Sequence, residues 1–167
     1  MRFAGALLLM AAGWAAGAAL TGGLRRKCAV LRELAAVLFR MAEELDQRET
    51  PLPQIFLREA ERAPLLSAAL RLAARQTAAG RPAGQALAPL CTALSKDEGL
   101  PQAAEAVTEL SALLGAYDAE TQARACRAAG QSIEDLRREQ DRVLAEKGRL
   151  YRALAFSAGA ILALLAL

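Results

Sequence analysis

The chain has 167 residues, of which 54% are hydrophobic and only 4% aromatic, and its formal net charge is +3 at pH 7. This small charge, with arginines interleaved among acidic residues, excludes the broad basic face of a nucleic-acid-binding protein. The chain has no histidine and three widely separated cysteines, so the usual zinc signatures and Ser–His or Cys–His catalysis are excluded. We therefore expect a non-enzymatic protein with no catalytic residue, no metal and no cofactor.

Both ends of the chain are apolar, and each apolar end has basic residues on its inner side. The run Phe3–Leu24 is uncharged and leads into Arg25-Arg26-Lys27, while Lys147 and Arg152 precede the uncharged run Ala153–Leu167. Positive charge marks the cytoplasmic side of a membrane segment and attracts anionic lipid, so both flanks place the middle of the chain in the cytoplasm. We expect an N-terminal transmembrane helix at 1–24, a cytoplasmic helical-bundle domain at 25–152 and a C-terminal transmembrane helix at 153–167.

The first half of the middle region predicts three helices separated by proline-containing turns. Thr50-Pro51-Leu52-Pro53 ends the first helix near residue 48, with Thr50 as the expected N-cap and Pro51 as the first residue of a short second helix. A third helix begins near Leu65 and ends at Ala79-Gly80-Arg81-Pro82. The buried stripe of the first helix, at steps of three and four, is Leu31, Leu34, Leu38, Met41 and Leu45.

A fourth helix is expected over Leu87–Leu94, followed by a polar loop at 95–101. Pro89 either kinks this helix or lies in its first turn, if the helix begins late. Both possibilities are compatible with the apolar spacing.

The last two helices meet at a turn with strong local signals. The fifth helix is expected over 101–114 with Gly115 as its stop, and Asp118 is the expected N-cap of a final helix that continues to Leu167. No segment has the alternation of a strand, and alanine and leucine dominate, so the predicted fold is all-α. We expect a cytoplasmic bundle of about six helices between the two transmembrane helices.

An acidic cluster lies at the end of the first helix and is formed by Glu43, Glu44 and Asp46. One interpretation is a docking surface for a basic partner. The other is a solvated surface balanced by nearby arginines, which are Arg40, Arg48 and Arg58.

The whole chain resembles the stage III sporulation protein AB family, through several motifs in the same order. The family's Thr-Pro-Leu turn after the first helix matches Thr50-Pro51-Leu52, and its Leu-Gly-x-x-Asp-x-x-x-Gln turn matches Leu114, Gly115, Asp118 and Gln122. Its Leu-Tyr entry into the last membrane segment matches Leu150-Tyr151.

This resemblance implies a membrane platform subunit of the channel that links the mother cell with the forespore. Its helical domain would be similar to the cytoplasmic domains of type II secretion inner-membrane platform proteins. The chain would lie in the outer forespore membrane with two spans and its domain in the mother-cell cytoplasm. The implied partners are a secretion-type ATPase, other membrane subunits and other copies of the chain. The competing hypothesis is a membrane-anchored coiled-coil regulatory or signalling adaptor.

The resemblance carries over no catalytic residue, so the expected site residues are contact and turn residues. They are Thr50 and Pro51 after the first helix, Gly115, Asp118 and Gln122 between the fifth and sixth helices, and the acidic cluster Glu43, Glu44 and Asp46.

Overall fold

The computed structural model describes the backbone of residues 2–48 and 50–165, and the side chains of residues 22–47, 50–150 and 157. Over these residues the fold is all-α, with no strand, which confirms the predicted fold class. The helices are α1 (Arg2–Arg48), α2 (Leu52–Arg62), α3 (Ser67–Ala78), α4 (Ala83–Ala86), α5 (Ala88–Thr92), α6 (Pro101–Leu113) and α7 (Ala119–Leu165), with a π-helical turn at Ala93–Asp97 between α5 and α6.

The chain divides into two compact units. The core unit comprises Lys27–Arg138, and the terminal unit comprises Met1–Arg26 together with Glu139–Leu167. The predicted domain boundaries at residues 24–25 and 152–153 stay predictions.

The hydrophobic core lies inside the core unit and is built around the predicted stripe of α1. Leu31, Leu34, Leu38, Met41 and Leu45 are all buried, because residues spaced by three and four share one face of a helix. The core-unit part of α7 buries Ile133 and packs Leu136, partly buried, against the core. Its buried side chains are mostly small: Ala123, Cys126, Ala129 and Ile133.

Two hydrogen bonds tie distant loops of the core unit to α1. Lys27 Nζ donates to the Gly99 carbonyl oxygen at 3.1 Å, and the Leu65 backbone N–H donates to Glu33 Oε2 at 3.0 Å. The α2–α3 turn and the loop before α6 are therefore both fixed against the first helix.

The expected fourth helix, over Leu87–Leu94, is formed by α5 and the start of the π-helical turn, and the expected loop after it is partly helical. Pro89 lies in the first turn of α5, while a separate short helix, α4, precedes it. The expected polar loop at 95–101 is wrong in its first part, since Ala93–Asp97 continue the chain as a π-helical turn in which Leu94 is fully buried. Burying Leu94 in the core holds these residues in a helical turn despite their polar composition.

Among the residues whose side chains are described, no helix is both long enough and apolar enough to cross a bilayer. The predicted transmembrane segments, at 1–24 and 153–167, lie mostly outside those residues and stay predictions.

Candidate interaction surface

The sequence-predicted site residues lie at one end of the core unit, which we call the turn end (residues 43–48, 50–52 and 114–122). The end of α1 and the start of α7 meet there, since Arg127 Nη2 lies 2.7 Å from Asp46 Oδ2. Further along both helices, Gly130 lies against the ring of Phe39. The two helices are therefore antiparallel, and Lys27 and Arg138, where the chain enters and leaves the core unit, belong to the opposite end of this pair.

In the α1–α2 turn, Thr50 is not the N-cap that the sequence predicts. The N-cap of α2 is Pro51, with φ −60° and ψ 136°, and no side chain caps the helix. The Pro51 carbonyl oxygen accepts hydrogen bonds from the backbone N–H groups of Gln54 at 2.9 Å and Ile55 at 3.3 Å. The Thr50 hydroxyl donates instead to Glu44 Oε2 at 3.3 Å, which closes the turn back onto α1.

Gly115 is the point where the α6–α7 turn touches the rest of the turn end. Its φ of +78° is left-handed, a conformation that favours glycine, and it follows the last turn of α6 as expected of a helix stop. A Cβ at this position would lie 3.6 Å from Ala83 Cβ and 4.0 Å from Leu52 Cδ1. The two predicted turns are therefore neighbours in space, although more than sixty residues separate them in the sequence.

Asp118 is the N-cap of α7, as the sequence predicts. Asp118 Oδ2 accepts a hydrogen bond from the Thr121 backbone N–H at 3.1 Å, and the Asp118 carbonyl accepts one from the Gln122 N–H at 3.0 Å. Hydrogen bonds from the Thr121 side chain and backbone to the carboxylate lower the pKa of Asp118 below its ordinary value. The charged form of Asp118 thus fixes the first turn of α7.

Gln122 lies under the same turn and is nearly fully buried. Its Nε2 donates to the Tyr117 carbonyl at 2.5 Å, which closes the loop formed by residues 117–122. Its Oε1 is buried and has no hydrogen-bond partner among the described residues. Gln122 therefore holds the loop from the inside, and this position is architectural in the structure.

Tyr117 is a surface residue of the turn end that the sequence reasoning missed. Its side chain is 57% exposed, between Gly115 and the Asp118 cap. The available signal was composition: the chain has only two tyrosines, and this one lies in a turn rather than in an apolar stripe. Exposed tyrosines are enriched in protein interfaces because a rigid ring supplies a large contact area.

The acidic cluster is partly neutralised by arginines from other helices. Glu44 Oε2 lies 3.0 Å from Arg58 Nη1 of α2, and Asp46 pairs with Arg127 of α7, whereas Glu43 is exposed. The cluster thus joins α1 to both α2 and α7. Of the arginines expected to balance it, Arg58 does so, and the side chain of Arg48 lies outside the described residues.

Arg40 has a different role from the predicted one. It pairs with Glu59, a carboxylate of α2 that is only 1% exposed: Arg40 Nη2 lies 2.6 Å and Nε 2.8 Å from Glu59 Oε2. Arg62 Nη1 approaches the other oxygen at 3.4 Å. The sequence held a signal for this buried pair, because Glu59 falls on the same face of α2 as Ile55, Phe56 and Ala60.

Beside this pair is a small open depression lined by Arg40, Glu43, Glu44, Gln47 and Arg62. Of its lining residues, Arg40 and Glu44 make ion pairs with α2, and Arg62 pairs with Glu59 within α2. No cluster of metal-ligating side chains occurs among the described residues. In the described part of the turn end, the candidate residues cap a helix, close turns and form ion pairs between helices.

Taken together, fold and site define an all-helical protein whose candidate residues join and cap helices at one end of a compact core. The chain belongs to the stage III sporulation protein AB family, since the family model described as "Stage III sporulation protein AB" matches residues 2–167. Membership of this family supports a role in sporulation. No curated protein and no solved structure matches the chain significantly.

Proposed function

We propose that this protein is a non-enzymatic platform subunit of the mother-cell to forespore channel needed for endospore formation. The observation that carries the proposal is the family match over residues 2–167, essentially the whole chain. The family supports the sporulation role, and the turn end supplies a surface suited to docking. The compact core unit favours a platform over an extended coiled-coil adaptor.

The turn end is the proposed docking surface for the secretion-type ATPase. Its backbone is held by Gly115, the Asp118 cap and the ion pairs of α1, so an exposed side chain such as Tyr117 is presented from a rigid base. Rigid presentation lowers the ordering cost of association. Within the core unit, Lys27 and Arg138 belong to the end of the α1–α7 pair opposite the turn end.

Co-purification in sporulating cells tests the docking proposal. Full-length chain carrying Tyr117→Ser should retain about tenfold less of the secretion-type ATPase, because an exposed aromatic anchor contributes strongly to an interface. The matched control is Leu57→Ser, since Leu57 of α2 is 52% exposed and Tyr117 is 57% exposed. Both variants should melt at the wild-type temperature. Equal ATPase recovery from wild type and Tyr117→Ser would refute docking at this end.

Topology forms a separate part of the proposal: two membrane spans, with the core unit in the mother-cell cytoplasm and the amino terminus on the opposite side. The uncharged runs at both ends and their basic inner flanks support it. A cysteine introduced next to residue 1 should react with a membrane-impermeant reagent in intact cells, while Cys91 should react only after lysis. The reverse labelling pattern would overturn this topology.

A further inference from the structure

We infer that the outward face of α3 is a second docking surface, and that its occupant is an acidic amphipathic helix of a partner protein. This surface, the α3 ridge, comprises Leu65, Ala68, Leu72 and Arg75 with the flanking Arg71 and Arg81. It is separate from the turn end and does not rest on the channel role.

The ridge is an apolar line on an exposed helix face. Ala68, Leu72, Arg75 and Ala79 follow at steps of four, three and four, which places them on one side of the helix. Leu65 and Leu72 are 44% and 42% exposed, whereas Leu70, Ala73 and Ala74 on the other side are buried. Leu65 and Leu72 therefore lie on the outer side of this segment, and each leaves more than 40% of its surface exposed.

The charged side chains of the chain segment that forms the ridge are all basic. No acidic residue occurs between Glu61 and Asp97. The basic residues of that stretch are Arg62, Arg71, Arg75, Arg81 and Lys96.

The arginines of the ridge differ from most arginines of the core unit, which pair with carboxylates. In α1, α2 and α7, ion pairs to Glu59, Glu44, Asp46 and Glu134 are made by Arg40, Arg58, Arg127 and Arg137, respectively. Arg71, Arg75 and Arg81 make none among the described residues. These three guanidinium groups can therefore form ion pairs with the carboxylates of a partner.

The start of the ridge is fixed before any partner arrives. The Leu65 backbone N–H donates to Glu33 Oε2 of α1, so this carboxylate is already engaged with the turn that presents Leu65. A preformed surface loses little entropy when a helix packs on it.

The chemistry of the ridge fits a helix better than a lipid surface. Membrane-surface helices present aromatic and bulky apolar residues over a wide face. The ridge has two leucines separated by alanine and no aromatic residue. On this face Ala68 lies between Leu72 of α3 and Leu65 of the preceding turn, and a partner helix packed there would place its flanking carboxylates near Arg71 and Arg75.

A designed helical peptide tests the inference directly. The probe has leucine in heptad register and glutamate on both flanks, and the full-length chain is held in nanodiscs of neutral phosphatidylcholine. Fluorescence anisotropy should show saturable binding that weakens as salt rises, because exposed charge pairs are screened. A peptide with lysine in place of every glutamate should not bind.

Matched variants locate the binding. R71Q/R75Q should weaken it about tenfold, and L72Q by a similar factor, since each removes a contact of about the strength of an interfacial pair. R124Q/R138Q on α7 makes the same charge change on exposed arginines, and L57Q makes the same polar change on α2. Both controls should bind the peptide like wild type.

Three results would overturn the inference. The first is no saturable binding of the glutamate peptide, or equal binding by the ridge variants and the controls. The second is binding to a membrane in place of the peptide: the nanodisc-held chain co-sediments with vesicles of equimolar phosphatidylglycerol and phosphatidylcholine, R71Q/R75Q does not, and the peptide does not bind. This result would assign the ridge to a membrane. The third is a lower oligomeric mass of R71Q/R75Q by light scattering, which would assign it to a second copy of the chain.

Discussion

Gly84 of α4 lies so close to α6 that a single added methyl group should measurably destabilise the core unit. A Cβ built on Gly84 would lie 2.7 Å from the Ser111 carbonyl oxygen and 3.3 Å from the Ser111 carbonyl carbon. Both of these atoms belong to the backbone, so no side-chain rotation relieves the contact. Gly84→Ala therefore requires α4 and α6 to move apart.

The expected cost follows from two opposing effects. Forcing an extra carbon into a packed contact costs about 1–3 kcal/mol. Alanine regains roughly 0.5–1 kcal/mol over glycine in a helix, and this gain is smaller in a helix as short as α4. We expect a net loss of about 1–2 kcal/mol, which corresponds to a melting temperature about 3–10 °C lower for a domain of this size.

Thermal unfolding of the full-length chain in mild detergent, followed by far-ultraviolet circular dichroism, measures this effect. The control is Gly148→Ala in α7, where a Cβ would meet nothing within 4 Å. The control should be unchanged or about 0.5–1 kcal/mol more stable. A Gly84→Ala variant as stable as wild type would refute the close approach of α4 and α6.

Three further predictions concern titratable side chains. Glu59→Gln should cost about 1–3 kcal/mol of unfolding free energy, because it removes the charge from a buried ion pair, and exposed Glu105→Gln should cost almost nothing. Burial raises the pKa of Cys126 from 9.0 to about 12. Native protein should therefore react with a thiol reagent at half-buried Cys91 and not at Cys126. The free energy of unfolding should fall as the pH rises from 9 towards 12, because the thiol ionises in the unfolded chain first, and Cys126→Ala should reduce this fall. Because the pKa of Asp118 is lowered in the fold, its carboxylate stabilises the protein above pH 3.8, and this contribution is lost as the pH falls below 3.8. Asp118→Ala should therefore melt at a lower temperature than wild type at pH 7. It should also lose less stability than wild type on acidification. Equal labelling of both thiols in native protein, or the same acid dependence in wild type and Asp118→Ala, would contradict these assignments.

The features that the sequence predicts correctly depend on neighbours within one or two helical turns. The stripe from Leu31 to Leu45 encodes the buried face of α1 by its spacing alone. Asp118 and Gly115 act through backbone groups a few residues away, so their roles as cap and helix stop are readable locally. The same reasoning places the start of α6 at Pro101.

The features that sequence reasoning misses depend on side chains that are distant along the chain. Thr50 fails as an N-cap because its hydroxyl bonds to Glu44 of the preceding helix. Arg40 does not balance the acidic cluster because it pairs with the buried carboxylate of Glu59 on α2. The proximity of Gly115 to Leu52 is likewise a tertiary contact, and no local pattern encodes it.

Site-specific photo-crosslinking in sporulating cells tests the central claim most directly. A photoreactive phenylalanine analogue replaces Tyr117 at the turn end, or Leu57 on α2 as the control, in the full-length chain. We expect a crosslink to the secretion-type ATPase from position 117 and none from position 57. Equal crosslinking from both positions, or crosslinking from position 57 alone, would contradict docking through the turn end.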